Sequence, residues 1–129
     1  MRVRELMQKD VKTVNLEDAV ISLTDSHISA LAVVDGMGRM VGVISSTDIL
    51  TSEAEAQDAV ERKALFEQMM VRDIMTPRPL TVSPEADVRE AAQQMLYADI
   101  HRLFVTSGDQ VVGVISSTDI VRAVATGRL

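Results

Sequence analysis

Two clusters of hydroxyl and carboxylate side chains stand out in this chain: Ser45-Ser46-Thr47-Asp48 and Ser116-Ser117-Thr118-Asp119. Each follows an apolar strand pattern and opens a helical one. In that setting Ser-x-x-Asp has two readings. It is a capping box, in which Ser accepts a hydrogen bond from the N3 backbone and Asp reaches back to the N-cap N–H. It is also the making of an anion site, because a helix N-terminus offers free N–H groups and the positive end of a dipole. Beside it, Ser and Thr hydroxyls can hold phosphate, and a carboxylate can accept both hydroxyls of a ribose. For one such motif alone, the cap is the commoner meaning.

The motif is not alone. Val41-Gly42-Val43-Ile44-Ser45-Ser46-Thr47-Asp48-Ile49 recurs letter for letter as Val112 to Ile120. A repeat of that length is an internal duplication, and each copy is one supersecondary unit. Val3-Arg4-Glu5-Leu6-Met7 matches Val71-Arg72-Asp73-Ile74-Met75, Thr13-Val14 matches Thr81-Val82, and Glu17 matches Glu85. Ile28-x-x-Leu31 matches Ile100-x-x-Leu103 with a spacing longer by four residues, so the first copy lacks one helical turn there. The chain divides into residues 1–51, a linker 52–70, and residues 71–129.

The elements that must carry these clusters follow from local signals. Ser83-Pro84-Glu85-Ala86-Asp87 predicts a helix start, with Ser at the N-cap and Pro at N1. Val88, Ala91, Ala92, Met95 and Leu96 then share one helical face. Leu103-Phe104-Val105 and Val111 to Ile115 read as two strands turned at Gly108-Asp109. Each copy is β-α-β-β-α, with Asn15 capping a shorter helix in the first. Alanines and long polar residues predict a helical linker. The class is α+β: two repeats packed sheet to sheet with pseudo-two-fold symmetry.

Composition narrows the function. The net charge is −6, aromatics are 2%, and no Lys/Arg run occurs, which argues against general nucleic-acid binding. No apolar run reaches the length of a membrane span, and no secretion signal is read at the N-terminus. With no cysteine, thiol catalysis and thiolate metal sites are excluded, and the expected compartment is the cytoplasm. His27 has no second His or Cys spaced for zinc. Gly36-Met37-Gly38-Arg39 lacks the third glycine of a dinucleotide fingerprint and reads as a turn. No nucleophile has a supporting base, so the chain is not read as an enzyme.

The order Gly-hydrophobic-hydrophobic-Ser-x-x-Asp after a hairpin, preceded by Thr-Val and a helix, resembles the cystathionine β-synthase (CBS) domain. Gly42 to Asp48 and Gly113 to Asp119 both match, as do Asp73-Ile74-Met75-Thr76-Pro77 and Ile100-His101-Arg102-Leu103. The resemblance covers nearly the whole chain as a tandem pair. It implies a sensor of adenosyl ligands (AMP, ADP or ATP, or alternatively S-adenosylmethionine) bound in the clefts between the copies. It implies that Asp48 and Asp119 bind ribose hydroxyls and that Ser45, Thr47, Ser116 and Thr118 contact phosphate or ribose. Thr13, Val14, Thr81 and Val82 would line the adenine side, and His101 and Arg102 would meet phosphate. The first copy has Ser29-Ala30 where the second has His101-Arg102, so the clefts are expected to be unequal. A homodimer signalling to a target protein in trans is the implied assembly, with no required cofactor and no metal. The rival is a structural interaction module whose Ser-x-x-Asp motifs only cap helices.

Overall fold

A computed structural model describes residues 1–23, 30–49, 58, 60, 61, 64 and 68–129. Most of the linker read as helical lies outside the described residues; residues 60, 61, 64 and 68 are helical. The described elements, in chain order, are α1 (Val3–Leu6), β1 (Thr13–Asn15), a 3₁₀ turn (Val20–Leu23), β2 (Ala30–Val34), β3 (Met40–Ser45), α2 (Val71–Ile74), β4 (Thr76–Pro77), β5 (Thr81–Val82), α3 (Val88–Ala98), β6 (Arg102–Ser107), β7 (Gln110–Ser116) and α4 (Ser117–Ala125).

Two sheets result. One has the order β1-β2-β3-β4, the other β5-β6-β7. β1 runs parallel to β2, and β5 parallel to β6. Parallel neighbours need a crossover, and in the second copy α3 provides it. Both hairpins are antiparallel, with a register shift at Val33/Val34 and at the matching Val105/Thr106. Gly108 has φ +62, which lets β6 and β7 turn over in two residues.

The chain folds as two compact units, and each unit borrows from the other copy. Residues Lys12–Pro79 form one, and Met1–Val11 with Leu80–Leu129 form the other. The backbone bonds are matched. Val3 and Arg4 N–H donate to Ala86 and Pro84 O at 2.9 and 3.0 Å; Val71 and Arg72 N–H donate to Asp18 and Leu16 O at 2.8 and 2.9 Å. Both one-turn helices are closed by an acid at N3: Glu5 accepts from Arg2 N–H and Asp73 from Met70 N–H. Beyond them, Gln8 bridges to Val114 of β7, as β4 pairs with β3. The glycines of the repeated block make room for these segments. A Cβ on Gly113 would lie 2.6 Å from Met7 Sδ and 2.9 Å from Gln8 O; one on Gly42 would lie 2.8 Å from both Met75 Sδ and Thr76 O.

Each unit has its own core. In one, Val3, Val82, Val88, Leu103, Val105 and Ile115 are buried together; in the other, Leu23, Leu31, Val33, Ile44 and Val71. Full burial of each such side chain contributes about 1.5–3 kcal/mol.

Three local expectations are corrected. Helix α3 starts at Val88 with Asp87 as its N-cap, not at Ser83. Ser83 Oγ instead accepts from Glu85 N–H in a turn. The cause lies in the carbonyls of Pro84 and Ala86, which are held by residues 3 and 4 and so are not spent on a helix. Asn15 ends β1, and its Oδ1 accepts from Glu17 N–H; the next helical turn begins at Val20. The rest of the expected first helix lies outside the described residues. Leu96 is 76% exposed, although Val88, Ala91 and Met95 of the same helix are buried.

Candidate functional site

Both Ser-x-x-Asp motifs cap helices in the same geometry. Asp48 N–H donates to Ser45 Oγ at 3.2 Å, and Ser45 N–H donates to Asp48 Oδ2 at 2.8 Å. Asp119 N–H donates to Ser116 Oγ at 3.1 Å, and Ser116 N–H donates to Asp119 Oδ2 at 2.9 Å. In both cases the cap uses Oδ2, and a carboxylate has about four acceptor positions. Thr47 and Thr118 stand exposed on the first turn.

The sheet pleat sorts the remaining candidates. Directly paired residues share a face. In the second copy Arg102 pairs with Ser116, Phe104 with Val114, and Thr81 with Phe104, so all lie on the face away from the core. In the first copy the same face carries Ala30 opposite Ser45, Ala32 opposite Val43, and Thr13 beside Ala32. Two scaffolds therefore match position for position, and Arg102 replaces Ala30. Val82 is spent on the core, and Val14 packs against the other core. Of these two positions the threonines face out from the core side.

Of the two cavities described, Asp119 lines one and His101 the other. Asp119 lines one of about 390 Å³ with Leu6, Gln8, Arg122, Ala123, Thr126 and Arg128. His101 lines another of about 260 Å³ with Met95, Asp99, Ser117, Ile120 and Val121 among its walls. Helix α4 stands between them. Its 3.6-residue period turns Ser117, Ile120 and Val121 one way and Asp119, Arg122, Ala123 and Thr126 the other. His101 is tied to the helix start only by its backbone, whose carbonyl accepts from Ser117 N–H at 2.9 Å.

Sequence reasoning missed Gln8. Its Nε2 donates to Asp119 Oδ1 at 3.2 Å, and Arg122 Nη1 lies 3.7 Å from the same oxygen. Asp119 is the buried charged residue of the described set, 9% exposed. Burying a carboxylate costs stability unless it is bonded or paired, and these contacts supply both. Gln8 is far from Asp119 in sequence, and the matching position of the other copy is Thr76, so no pattern marked it. Among the described residues no cluster of His, Asp and Glu could hold a metal, and no helix is long and apolar enough to cross a membrane.

Comparison with known proteins gives this architecture a class. The CBS domain family model matches residues 3–55 and 71–126. The chain belongs to the CBS domain family, as a tandem pair. It is similar to CBSX1, a chloroplastic CBS domain-containing protein of Arabidopsis thaliana, with 25% identity over 86% of this chain and 56% of that protein. Among solved structures it is similar to CBSX2 in complex with AMP (TM-score 0.80, 25% identity, 99% of this chain and 98% of that one). It is also similar to the CBS pair of protein MJ0100 in complex with 5′-methylthioadenosine and S-adenosyl-L-methionine (TM-score 0.76, 25% identity, 96% and 99% covered). The chain spans between 24% and 56% of the lengths of the first curated relatives it matches.

Proposed function

We propose that this CBS pair is a regulatory module that binds an adenosine-type ligand and relays its presence to a target protein in trans, as a homodimer. The observation that carries the reading is the duplicated helix start, Ser45 to Asp48 and Ser116 to Asp119, each beside a sheet face with a threonine. CBSX2 solved with AMP supports an adenine nucleotide, AMP, ADP or ATP. MJ0100 with S-adenosyl-L-methionine supports the alternative.

In this reading Asp48 and Asp119 accept ribose hydroxyls through their carboxylates. Ser45, Thr47, Ser116 and Thr118 supply hydroxyls, and Thr13 and Thr81 border the base, while the side chains of Val14 and Val82 serve the cores. Arg102 supplies positive charge where the first copy has Ala30, and His101 stands where it has Ser29, so the two copies serve unequal sites. The chain itself performs no catalysis; it acts in the cytoplasm, and its output goes through the protein it contacts.

A thermal-shift panel of AMP, ADP, ATP and S-adenosylmethionine, with GTP as control, tests the reading. A ligand at about 100 times its Kd adds about 2.7 kcal/mol, a shift of several degrees at this size. A selective adenosyl shift is expected. The structural reading has one observation in its favour: both Ser-x-x-Asp motifs close as reciprocal capping boxes. It predicts no shift with any ligand, and Ser116 and Asp119 variants that lose stability alone.

A further inference from the structure

We propose that the cavity beside Asp119 has its own anion-binding pole, formed by Arg122 and Arg128. It would receive a ligand that joins hydroxyls, held by Asp119, to an oxyanion, a phosphate or a carboxylate. The hydroxyl end rests on the function proposed above; the anion end rests on the cavity.

The cavity is about 390 Å³, room for a ligand of nucleotide size, with Leu6 and Ala123 as apolar walls. Asp119 and Arg122 lie one helical turn apart on the same face of α4, with Arg122 Nη1 3.7 Å from Asp119 Oδ1. Arg128 reaches the cavity through a chain reversal. Gly127 takes φ +76, Arg128 N–H donates to Ala123 O at 2.8 Å, and Gly127 N–H donates to Val124 O at 3.2 Å. This is a Schellman turn, and it needs the left-handed conformation that glycine adopts freely. It folds residue 128 back along α4 instead of letting it run on beyond the helix.

The charges also point to an anion. One carboxylate and two guanidiniums line a cavity of a chain whose net charge is −6, so the local field opposes the global one. Guanidinium presents paired donors that match phosphate and carboxylate. Arg122 is 64% exposed at its side chain, free to swing onto an incoming oxyanion. His101 is turned into the other cavity by α4. Within the cavity beside Asp119, the cationic walls that an oxyanion would meet are Arg122 and Arg128.

Calorimetric titration of the full chain with adenosine, AMP and S-adenosylmethionine tests this, alongside R122Q/R128Q and R89Q, a control that removes one surface charge outside the cavity. Wild type should bind AMP (phosphate) or S-adenosylmethionine (carboxylate) at least about tenfold tighter than adenosine. In R122Q/R128Q the preferred ligand should fall to the affinity of adenosine, with adenosine itself unchanged; R89Q should match wild type. The preference of wild type identifies which oxyanion the pole serves. If the preference survives in R122Q/R128Q, the proposal fails and the adenosyl function stands. If wild type binds none of the three, both fail. A melting curve for each variant separates lost binding from lost folding.

Discussion

Opposite Ser45 in its hairpin stands Ala30; opposite Ser116, in the same register, stands Arg102. Around those positions the two copies are the same molecule twice. The block from Val41 to Ile49 equals that from Val112 to Ile120, the caps agree within 0.1 Å (3.2 and 3.1 Å for the Asp N–H bond), and each glycine faces a methionine sulfur. The copies differ in what surrounds the block: Ala30 against Arg102, Ala32 against Phe104, Thr76 against Gln8. A cap is a local device and survives duplication intact. The residues that give a site its charge come from other strands and segments, and those have diverged.

The strongest way to break the equivalence is at the glycines. Gly42→Ala and Gly113→Ala should each destabilise by about 1–3 kcal/mol, the usual penalty of overpacking, read from urea midpoints. A flexible methionine can yield, but the backbone oxygens of Thr76 and Gln8 cannot easily do so. One neutral variant would mean that the two crossing segments are not held alike.

Gly127→Ala sharpens the second copy's account. Nothing lies within 4 Å of the added Cβ, so the cost is the positive φ, about 1–2 kcal/mol. A melting temperature equal to wild type would remove the Schellman turn from the argument. Ser45→Ala and Ser116→Ala come next, at about 1 kcal/mol each for the lost cap. The matched backbone bonds of the caps predict similar losses, with the Ser45 hydroxyl's bond to Asp48 Oδ2 at 3.0 Å the one addition in the first copy; a larger loss at Ser116 would show that burial around Asp119 raises what the cap is worth.

The smallest effect is confined to the first copy's hairpin. Asp35 accepts from the backbone N–H of Arg39 and Met37 and from the Arg39 side chain, at 2.8–3.0 Å. The Arg39 backbone bond is the largest cause that holds its carboxyl below the ordinary value of 3.8, with desolvation opposing it. A carboxyl lowered in the folded state stabilises above its unfolded value, and that contribution fades as pH falls through the folded one. Asp35→Asn should therefore melt below wild type at neutral pH, with the gap closing in acid below about pH 4. A gap independent of pH would assign the turn's stability to geometry alone.

Much of this was legible because it was local or repeated. The duplication, both hairpins and both capping boxes could be read from Gly108-Asp109, Ser45-x-x-Asp48 and Ser116-x-x-Asp119. What escaped was long-range. Ser83-Pro84-Glu85 carries every mark of a helix start, yet the chain's first residues take its carbonyls and delay the helix to Val88. Gln8 reaches Asp119 only because the leading segment of one copy packs on the other copy's sheet. The pseudo-repeat of Val3 to Met7 and Val71 to Met75 marked these segments as equivalent without saying which sheet each would join.

The central claim is that this CBS pair binds an adenosine-type ligand. The direct measurement is calorimetric titration with AMP and S-adenosylmethionine. The protein must first be shown adenine-free by its absorbance at 260 nm, a clear reading in a chain with no Trp and one Tyr. The account predicts saturable binding of at least one of them, with unequal sites if both copies take part and no binding of GTP. A flat titration with both ligands on adenine-free, folded protein would contradict it and leave two helix caps as the whole meaning of the repeated motif.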